Sequence, residues 1–470
     1  MLNSSRNKPW GSFLLLLLIL FLTASPVQAQ NDPQGPIYVV QSGDTLNVIA
    51  MRFGVSVDDI ILVNNIANPN LLAEGTELII PGLEGVSGRL VTLTVPLGQN
   101  LLSLSREHGV SIEKLAQLNR LTSPQEIYAG SNLIIPQESQ DTALFPGFNL
   151  AANQTLLEAA VLADLNPWQL MEINRHGTSA SLVSGQMLYQ PGQNANAQFS
   201  AISPVITSIS ILPLPFIQGK TSVLRVETNQ PVKLTARLYD QDYILFEETP
   251  GVYLSLIGTP TLLDPGLVPF DLNGSLTEGS TFSYSQMILL DPGYYGQDPP
   301  LEVDPATLDP EAMKSEEEFV TSRTSTASAK RLWEGAFSYP IDEPCIRSWF
   351  GNRRSYNNGV YTSFHAGLDF GVCAQNLNIY AAAPGKVVFA GPLAVRGNSV
   401  IIDHGWGVYT GYWHLNQIAV AEGDVVEVRQ VIGEVGATGR VTGPHLHFEV
   451  RVNGFAVDPL DWLETGYPQP

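Results

Sequence analysis

The chain has 470 residues, 44% of them hydrophobic, and carries 24 Lys and Arg against 45 Asp and Glu, a formal net charge of −21. That length predicts several domains rather than one, with ample apolar content for globular cores. Nine basic against 23 acidic residues between 138 and 336 put two-thirds of the excess mid-chain; this argues against a nucleic-acid partner, which needs a basic stripe to displace counterions, and serves solubility instead.

Residues 1–29 read as a secretory signal peptide. Arg6 and Lys8 form its charged start, Phe13 to Leu22 its apolar run and Val27-Gln28-Ala29 its cleavage site. The run is short for a transmembrane helix, so no stable membrane insertion is expected after cleavage, an uncleaved N-terminal anchor being the alternative. No cysteine lies just after the run, which argues against a lipoprotein anchor.

Three repeats follow at an interval of 55 residues. Gly43-Asp44-Thr45-Leu46, Gly98-Gln99-Asn100-Leu101 and Asn153-Gln154-Thr155-Leu156 correspond, as do Asn64, Asn119 and Asn174, and Pro81, Pro136 and Pro191. In the first, Tyr38-Val39-Val40 predicts a strand, Asp44 or Thr45 caps a helix through Leu46, Ile49, Ala50 and Phe53, Val55 to Asp59 starts a second helix, and Leu78 to Pro81 closes a β-α-α-β unit. The pattern resembles the LysM module over 37–82 and 90–137. A degenerate third copy spans 149–192, without the leading glycine and with Asn166-Pro167 where the others have Ser56-Val57 and Ser111-Ile112. The resemblance implies binding to peptidoglycan glycan strands, with the third copy a binder or a spacer, and packing alone as the alternative for the array.

Residues 202–300 change to short β-rich stretches, 222–226, 232–238, 252–256 and 282–289, separated by Gly and Pro, and predict a β-sandwich-like domain with nothing catalytic in it. A polar, partly helical linker is expected over 301–336, started by Asp309-Pro310, with a solvated Ser/Thr run at 321–328. The two cysteines, Cys345 and Cys373, read first as a disulfide in an exported chain; two buried thiols are the alternative, and Cys373 as a metal ligand is the weakest reading.

Chemistry concentrates in 337–465. Five of seven histidines lie there: His365 with Asp369 in His-Ala-Gly-Leu-Asp, His404, His414, and His445 with His447 in Gly-Pro-His-Leu-His. His445 to Val452 predicts a strand entering a turn at Asn453-Gly454, so His445 and His447 share one face while Leu446, Phe448 and Val450 face a core. Gly367 and Gly371 disfavour a helix at His365, so an extended segment is expected there, and Tyr409 to Leu415 as a strand would set His414 and Tyr412 on one face. Three ligands with an open fourth position are what a catalytic zinc uses, whereas a structural zinc fills all four, often with cysteine. Ordinary packing is expected for His108, His176 and His404.

Residues 344–462 resemble the lysostaphin-type zinc endopeptidases, the M23 family, through His365 to Asp369, the Gly433 to Gly443 approach, His445 to Glu449, Ala383 to Val388 and Asp458 to Trp462. No HExxH helix occurs. Two features depart from the family pattern: the Gly-Thr-Pro approach is missing around Cys373 to Leu377, and Gly411-Tyr412-Trp413 precedes His414 where a smaller residue is frequent. The resemblance implies a mainly antiparallel β domain, one Zn2+ per chain on His365, Asp369 and His447, and His445 and His414 as the catalytic pair. His445 is then the general base and His414 holds developing charge, with the roles exchangeable. It further implies a peptidoglycan hydrolase that cuts wall peptides in stems or cross-bridges, extracytoplasmic and secreted or wall-associated. The alternative is a non-catalytic relative that activates a cell-wall amidase.

Overall fold

The computed structural model describes residues 35–83, 86–137, 144–150, 154–174, 186–191, 202–203, 205–277, 279–359 and 363–468. The expected signal peptide and His176 lie outside the described residues. Among those described, no helix is long and apolar enough to cross a membrane. The chain divides into two compact units, Met1–Val91 with Pro136–Glu138, and Thr92–Ile135 with Ser139–Pro470.

In the first unit Ile37–Val39 pairs antiparallel with Glu77–Ile79, and the intervening chain forms helices Leu46–Phe53 and Val57–Val63. Thr45 caps the first by accepting from the Val48 amide, and Leu46, Ile49, Ala50 and Phe53 turn inward. Asn64 at the end of the second helix explains why an asparagine recurs. Its amide donates to the Ile60 and Ile79 carbonyls at 2.9 and 2.8 Å, and its Oδ1 accepts from the Ile79 amide at 2.7 Å, tying helix end to closing strand.

The second unit repeats that device twice. Asn119 bonds Leu115 and both backbone groups of Ile134, and Asn174 bonds Leu170 and both backbone groups of Tyr189. The third copy thus keeps the frame, with helices Leu156–Leu162 and Pro167–Ile173 and the strand pair Leu144–Asn149 and Met187–Pro191.

The middle domain is two β sheets over one core, in which Phe216, Leu224, Val226, Leu234, Phe270 and Ile288 are buried. Strands Ile206–Leu212 and Gly266–Leu276 are additions to the expected set. The second contains Pro269 and Asn273-Gly274, which read as punctuation yet pair through the ladder with Met287, Ser283 and Phe282. Its other sheet backs onto the C-terminal domain: Val223, Leu254 and Leu256 join that domain's core, the Trp462 indole donates to Thr221 Oγ1 at 3.1 Å, and Lys220 bridges Asp458 and Asp461.

The C-terminal domain is built on a sheet whose described strands are β1 (Ile346–Ser348), β2 (Leu368–Gly371), β3 (Gly385–Leu393), β4 (Gly397–Gly405), β5 (Val408–Leu415), β6 (Val425–Val426), β7 (His445–Val452) and β8 (Phe455–Val457). They run β1-β2-β7-β5-β4-β3-β6, with β8 also on β7. Asn453 and Gly454 take φ of 50° and 88°, the left-handed pair expected of the β7–β8 turn. Cys345 and Cys373 form a disulfide joining the ends of β1 and β2.

Helix α1 (Pro310–Thr324) is docked rather than solvated. Glu316 accepts from the Val395 and Arg396 amides, Arg396 reaches Glu316 and Glu317, Arg451 reaches Glu317, and Val320 and Thr324 are buried. The polar face of this helix is spent on buried arginines of the sheet, which is why its sequence reads as a linker.

His404 is a packed core group, as expected. Its Nδ1 donates to the Pro384 carbonyl and its Nε2 accepts from Thr410 Oγ1, both at 2.8 Å, and burial pushes its pKa down to about 4. The folded state holds the neutral ring, so its contribution is complete above the unfolded value near 6.5 and is lost as pH falls from there to 4. We expect His404→Gln to remove about 3 kcal/mol of the loss in unfolding free energy across that window; parallel wild-type and variant slopes in urea titrations would contradict this.

Candidate metal centre and active site

Register places the site at the β2–β7–β5 centre of the sheet. Asp369 pairs with His447, Gly371 with His445 and Trp413 with His447. Leu446, Phe448 and Val450 are fully buried on the opposite face, so alternation along β7 aims both its histidines one way. His365 enters just before β2, its amide donating to the Asn352 carbonyl at 2.8 Å.

Gly367 permits the approach. A Cβ there would lie 2.2 Å from the Phe448 carbonyl oxygen and 2.9 Å from His447 Nε2.

His365 Nε2, Asp369 Oδ1 and His447 Nδ1 come together at 2.9, 2.9 and 2.8 Å pairwise. The remaining nitrogens are committed outward. His365 Nδ1 donates to the Trp349 carbonyl at 2.9 Å, with Ser348 Oγ at 3.0 Å, and His447 Nε2 donates to Glu449 at 3.1 Å. Those partners fix the tautomers and leave two imidazole lone pairs and one carboxylate oxygen facing a single point. Nitrogen and oxygen donors in that number suit a divalent cation, and the three residues form a His-Asp-His metal-binding triad.

Electrostatics agree with the hydrogen bonds. Burial alone would raise the Asp369 carboxyl, but His365 and His447 hold it well below the usual carboxylate range. Burial pushes His365 down to about 4. For His447 the burial effect is outweighed by Asp369 and Glu449, which raise it. Glu449, fully enclosed, is kept ionised by Arg451 and Arg396.

His414 reaches the site by a route that alternation does not provide. Tyr412 packs in the core against Phe448, so His414 and Tyr412 are not on one face as the strand period suggests. Two residues, Trp413 and His414, oppose the single Ser399 on β4, and His414 takes φ of 69°. This β-bulge turns its ring toward His445, with centroids 4.9 Å apart.

His414 Nδ1 donates to the Thr438 carbonyl and His445 Nδ1 to the Gly443 carbonyl, both at 2.8 Å, so each presents an unprotonated Nε2. His445 Nε2 is 3.7 Å from Asp369 Oδ1. Burial, reinforced by His445 and His447, pushes His414 well below the ordinary imidazole value.

The five groups open onto a groove of about 1000 Å3. Its other walls are Met313 and Glu317 of α1, Leu301 and Val303, Pro260 to Leu262 of the middle domain, and Arg440 and Tyr356. The outward partners Ser348, Arg354 and Glu449 are given no part in the site by the sequence, although Glu449 closes the His445 to Glu449 motif. Of these, only Glu449 has a readable signal, its place two residues beyond His447 on the same strand face.

A model of Peptidase family M23 matches residues 363–459, and LysM domain models match 38–81 and 93–136. The chain carries two LysM domains and a C-terminal Peptidase family M23 domain. Over 96 residues the M23 domain is 46% identical to DD-carboxypeptidase/endopeptidase Mpg of Neisseria meningitidis serogroup B, covering 20% of this chain and 22% of that protein. Over 130 residues the chain is 38% identical to peptidoglycan DD-endopeptidase ShyB of Vibrio cholerae, covering 27% and 30%. The chain thus spans less than a third of the length of these curated relatives. A putative peptidase M23 from Pseudomonas aeruginosa is similar at 27% identity over 55% of this chain and 97% of that one, with a TM-score of 0.40.

Gly367→Ala should cost about 1–3 kcal/mol of unfolding free energy, because the added methyl overlaps backbone that the β2–β7 pairing holds in place. Wild-type stability in urea denaturation would show that the approach of these segments is looser than described.

Proposed function

We propose that the protein is an extracytoplasmic peptidoglycan hydrolase whose M23 domain, with one zinc ion, cleaves wall peptides while the LysM domains hold glycan strands. The observation that carries this reading is the convergence of three lone pairs from His365, Asp369 and His447 beside two further imidazoles with free Nε2 atoms. The names of the curated relatives, DD-endopeptidases of peptidoglycan among them, point to cross-linked peptides as the substrate.

A bound zinc ion supplies Lewis acidity, bringing the pKa of water toward neutrality and polarising a carbonyl. The chain's own groups then handle the proton. His445 is the general base, its Nε2 accepting the proton of the attacking water and later returning it to the leaving amine. His414 is neutral before attack; the one proton taken from the water can pass from His445 Nε2 to His414 Nε2, which makes His414 a donor toward the developing oxyanion until that proton goes to the leaving amine. Asp369, held by Arg354 Nη2 on Oδ2 at 2.6 Å, keeps Oδ1 on the triad throughout. The LysM domains raise the local concentration of wall peptides by tethering, without adding contacts at the groove.

The test is incubation of the purified full chain with peptidoglycan, followed by mass analysis of the soluble fragments. Release should require metal, stop with a chelator, return with zinc and vanish in His447→Ala. His445→Ala and His414→Ala should retain zinc and lower turnover by roughly 10²–10⁴-fold. Metal-independent release, or no release together with stimulation of an added amidase, would overturn the reading.

A further inference from the structure

The group that braces the triad from behind comes from outside the residues matched by the M23 model. Asp298 lies beyond the last strand of the middle domain, in a segment seated along 353–357. The Asp298 amide donates to the Arg353 carbonyl at 3.0 Å, the Arg353 amide to Gly296 at 2.9 Å, the Leu301 amide to Ser355 at 3.0 Å and the Asn357 amide to Leu301 at 2.8 Å. Isolated bridges Gln297 to Arg353 and Leu301 to Tyr356 run parallel.

Asp298 is 9% exposed. Its Oδ2 accepts from Ser348 Oγ at 2.7 Å and from Arg354 Nε at 2.9 Å, and its Oδ1 accepts from Asn352 Nδ2 at 2.7 Å.

Two of these three partners reach metal-triad side chains with their own side chains. Ser348 Oγ is 3.0 Å from His365 Nδ1, and Arg354 Nη2 is 2.6 Å from Asp369 Oδ2 and 3.0 Å from Ser348 Oγ. The polarity of the chain follows from what each group can do. An ionised carboxylate only accepts, so the single Ser348 hydroxyl hydrogen points at Asp298; a guanidinium only donates, so Arg354 occupies a Ser348 lone pair. What Ser348 has left for His365 is another lone pair, which acts with the Trp349 carbonyl at 2.9 Å to keep the hydrogen on Nδ1 and Nε2 bare. Arg354, shared between two carboxylates, is meanwhile held from swinging wholly onto Asp369.

We propose that Asp298 is a positioning residue for the metal site, fixing the His365 tautomer through Ser348 and the Asp369 carboxylate through Arg354. The proposal rests on the zinc reading above. Without the Asp298 charge, the Ser348 hydroxyl is free to donate to His365 Nδ1 in competition with the Trp349 carbonyl, which shifts the balance toward the tautomer protonated at the ligating nitrogen. The middle-domain end of the chain is then part of the metal site, and residues 363–459 alone do not carry all of it.

The experiment uses the full chain as wild type, Asp298→Asn, Asp298→Glu and Ser348→Ala. Zinc affinity is measured by competition with a chromophoric chelator, and imidazole ¹⁵N shifts of the metal-free protein report the His365 tautomer. Asp298→Asn should bind zinc about 10–100-fold more weakly, with Nε2–H appearing on His365, and Asp298→Glu should recover part of the loss. Ser348→Ala breaks the relay without removing a charge and should weaken zinc in the same direction, which keeps the test open if Asp298→Asn fails to fold. Wild-type zinc affinity in either folded variant would overturn the proposal while leaving the hydrolase reading intact. Failure of the wild type to bind zinc would overturn both.

Discussion

Three ligating atoms in the C-terminal domain, two imidazole nitrogens and one carboxylate oxygen, are brought within 2.9 Å of one another on buried residues at the floor of the groove. Lone pairs so placed repel unless a cation or a shared proton lies among them, and the groups stay only if something else holds them. Much of the surrounding architecture answers that demand. Trp349 and Ser348 take the far side of His365, Glu449 takes that of His447, and Arg354 takes that of Asp369. Each of these is tied in turn, Glu449 to Arg451 and Arg396, and Ser348 and Arg354 to Asp298. Such layered support keeps ligand atoms in place before metal arrives, and with them the nitrogen that must be bare.

The sheet delivers these groups by regular and irregular means together. β7 contributes His445, His447 and Glu449 from one face at no geometric cost, because two-residue spacing is the period of a strand. His414 needs a bulge and a left-handed backbone, which cost on the order of 1–3 kcal/mol in a non-glycine residue. That strain persists because its neighbours are over-determined. Trp413 is packed with Val320, Ile401 and Tyr409, the His414 amide donates to the Arg396 carbonyl, and its ring to Thr438. Helix α1 belongs to the same arrangement, since Glu316 and Glu317 neutralise Arg396 and Arg451, which would otherwise pull unopposed on Glu449.

What could be read in advance follows from how local the cause is. The 55-residue repeat, the shared face of His445 and His447, the Asn453-Gly454 turn and the pairing of Cys345 with Cys373 are short-range or compositional facts, and each is visible in the residues themselves. The face assigned to His414 failed because one extra residue in β5 cancels the alternation, and nothing in Tyr412-Trp413-His414 announces a bulge. The helix at 310–324 was legible as a helix but not as a docked one, because its buried partners lie about 80 and 134 residues away. Asp298 had no signal at all: it is an ordinary acidic residue between Gln297 and Pro299 until the fold brings Ser348 and Arg354 to it.

The proposed hydrolysis depends on a division of labour in which His365, Asp369 and His447 hold the metal and the neighbouring His414 and His445 do not. X-ray absorption at the zinc edge, on the full chain loaded with one equivalent of zinc, tests that division directly. It predicts nitrogen and oxygen scatterers at about 2.0–2.1 Å with two imidazoles and no sulfur, unchanged in His414→Ala and His445→Ala. A sulfur shell near 2.3 Å, or loss of an imidazole from the spectrum of either variant, would contradict it.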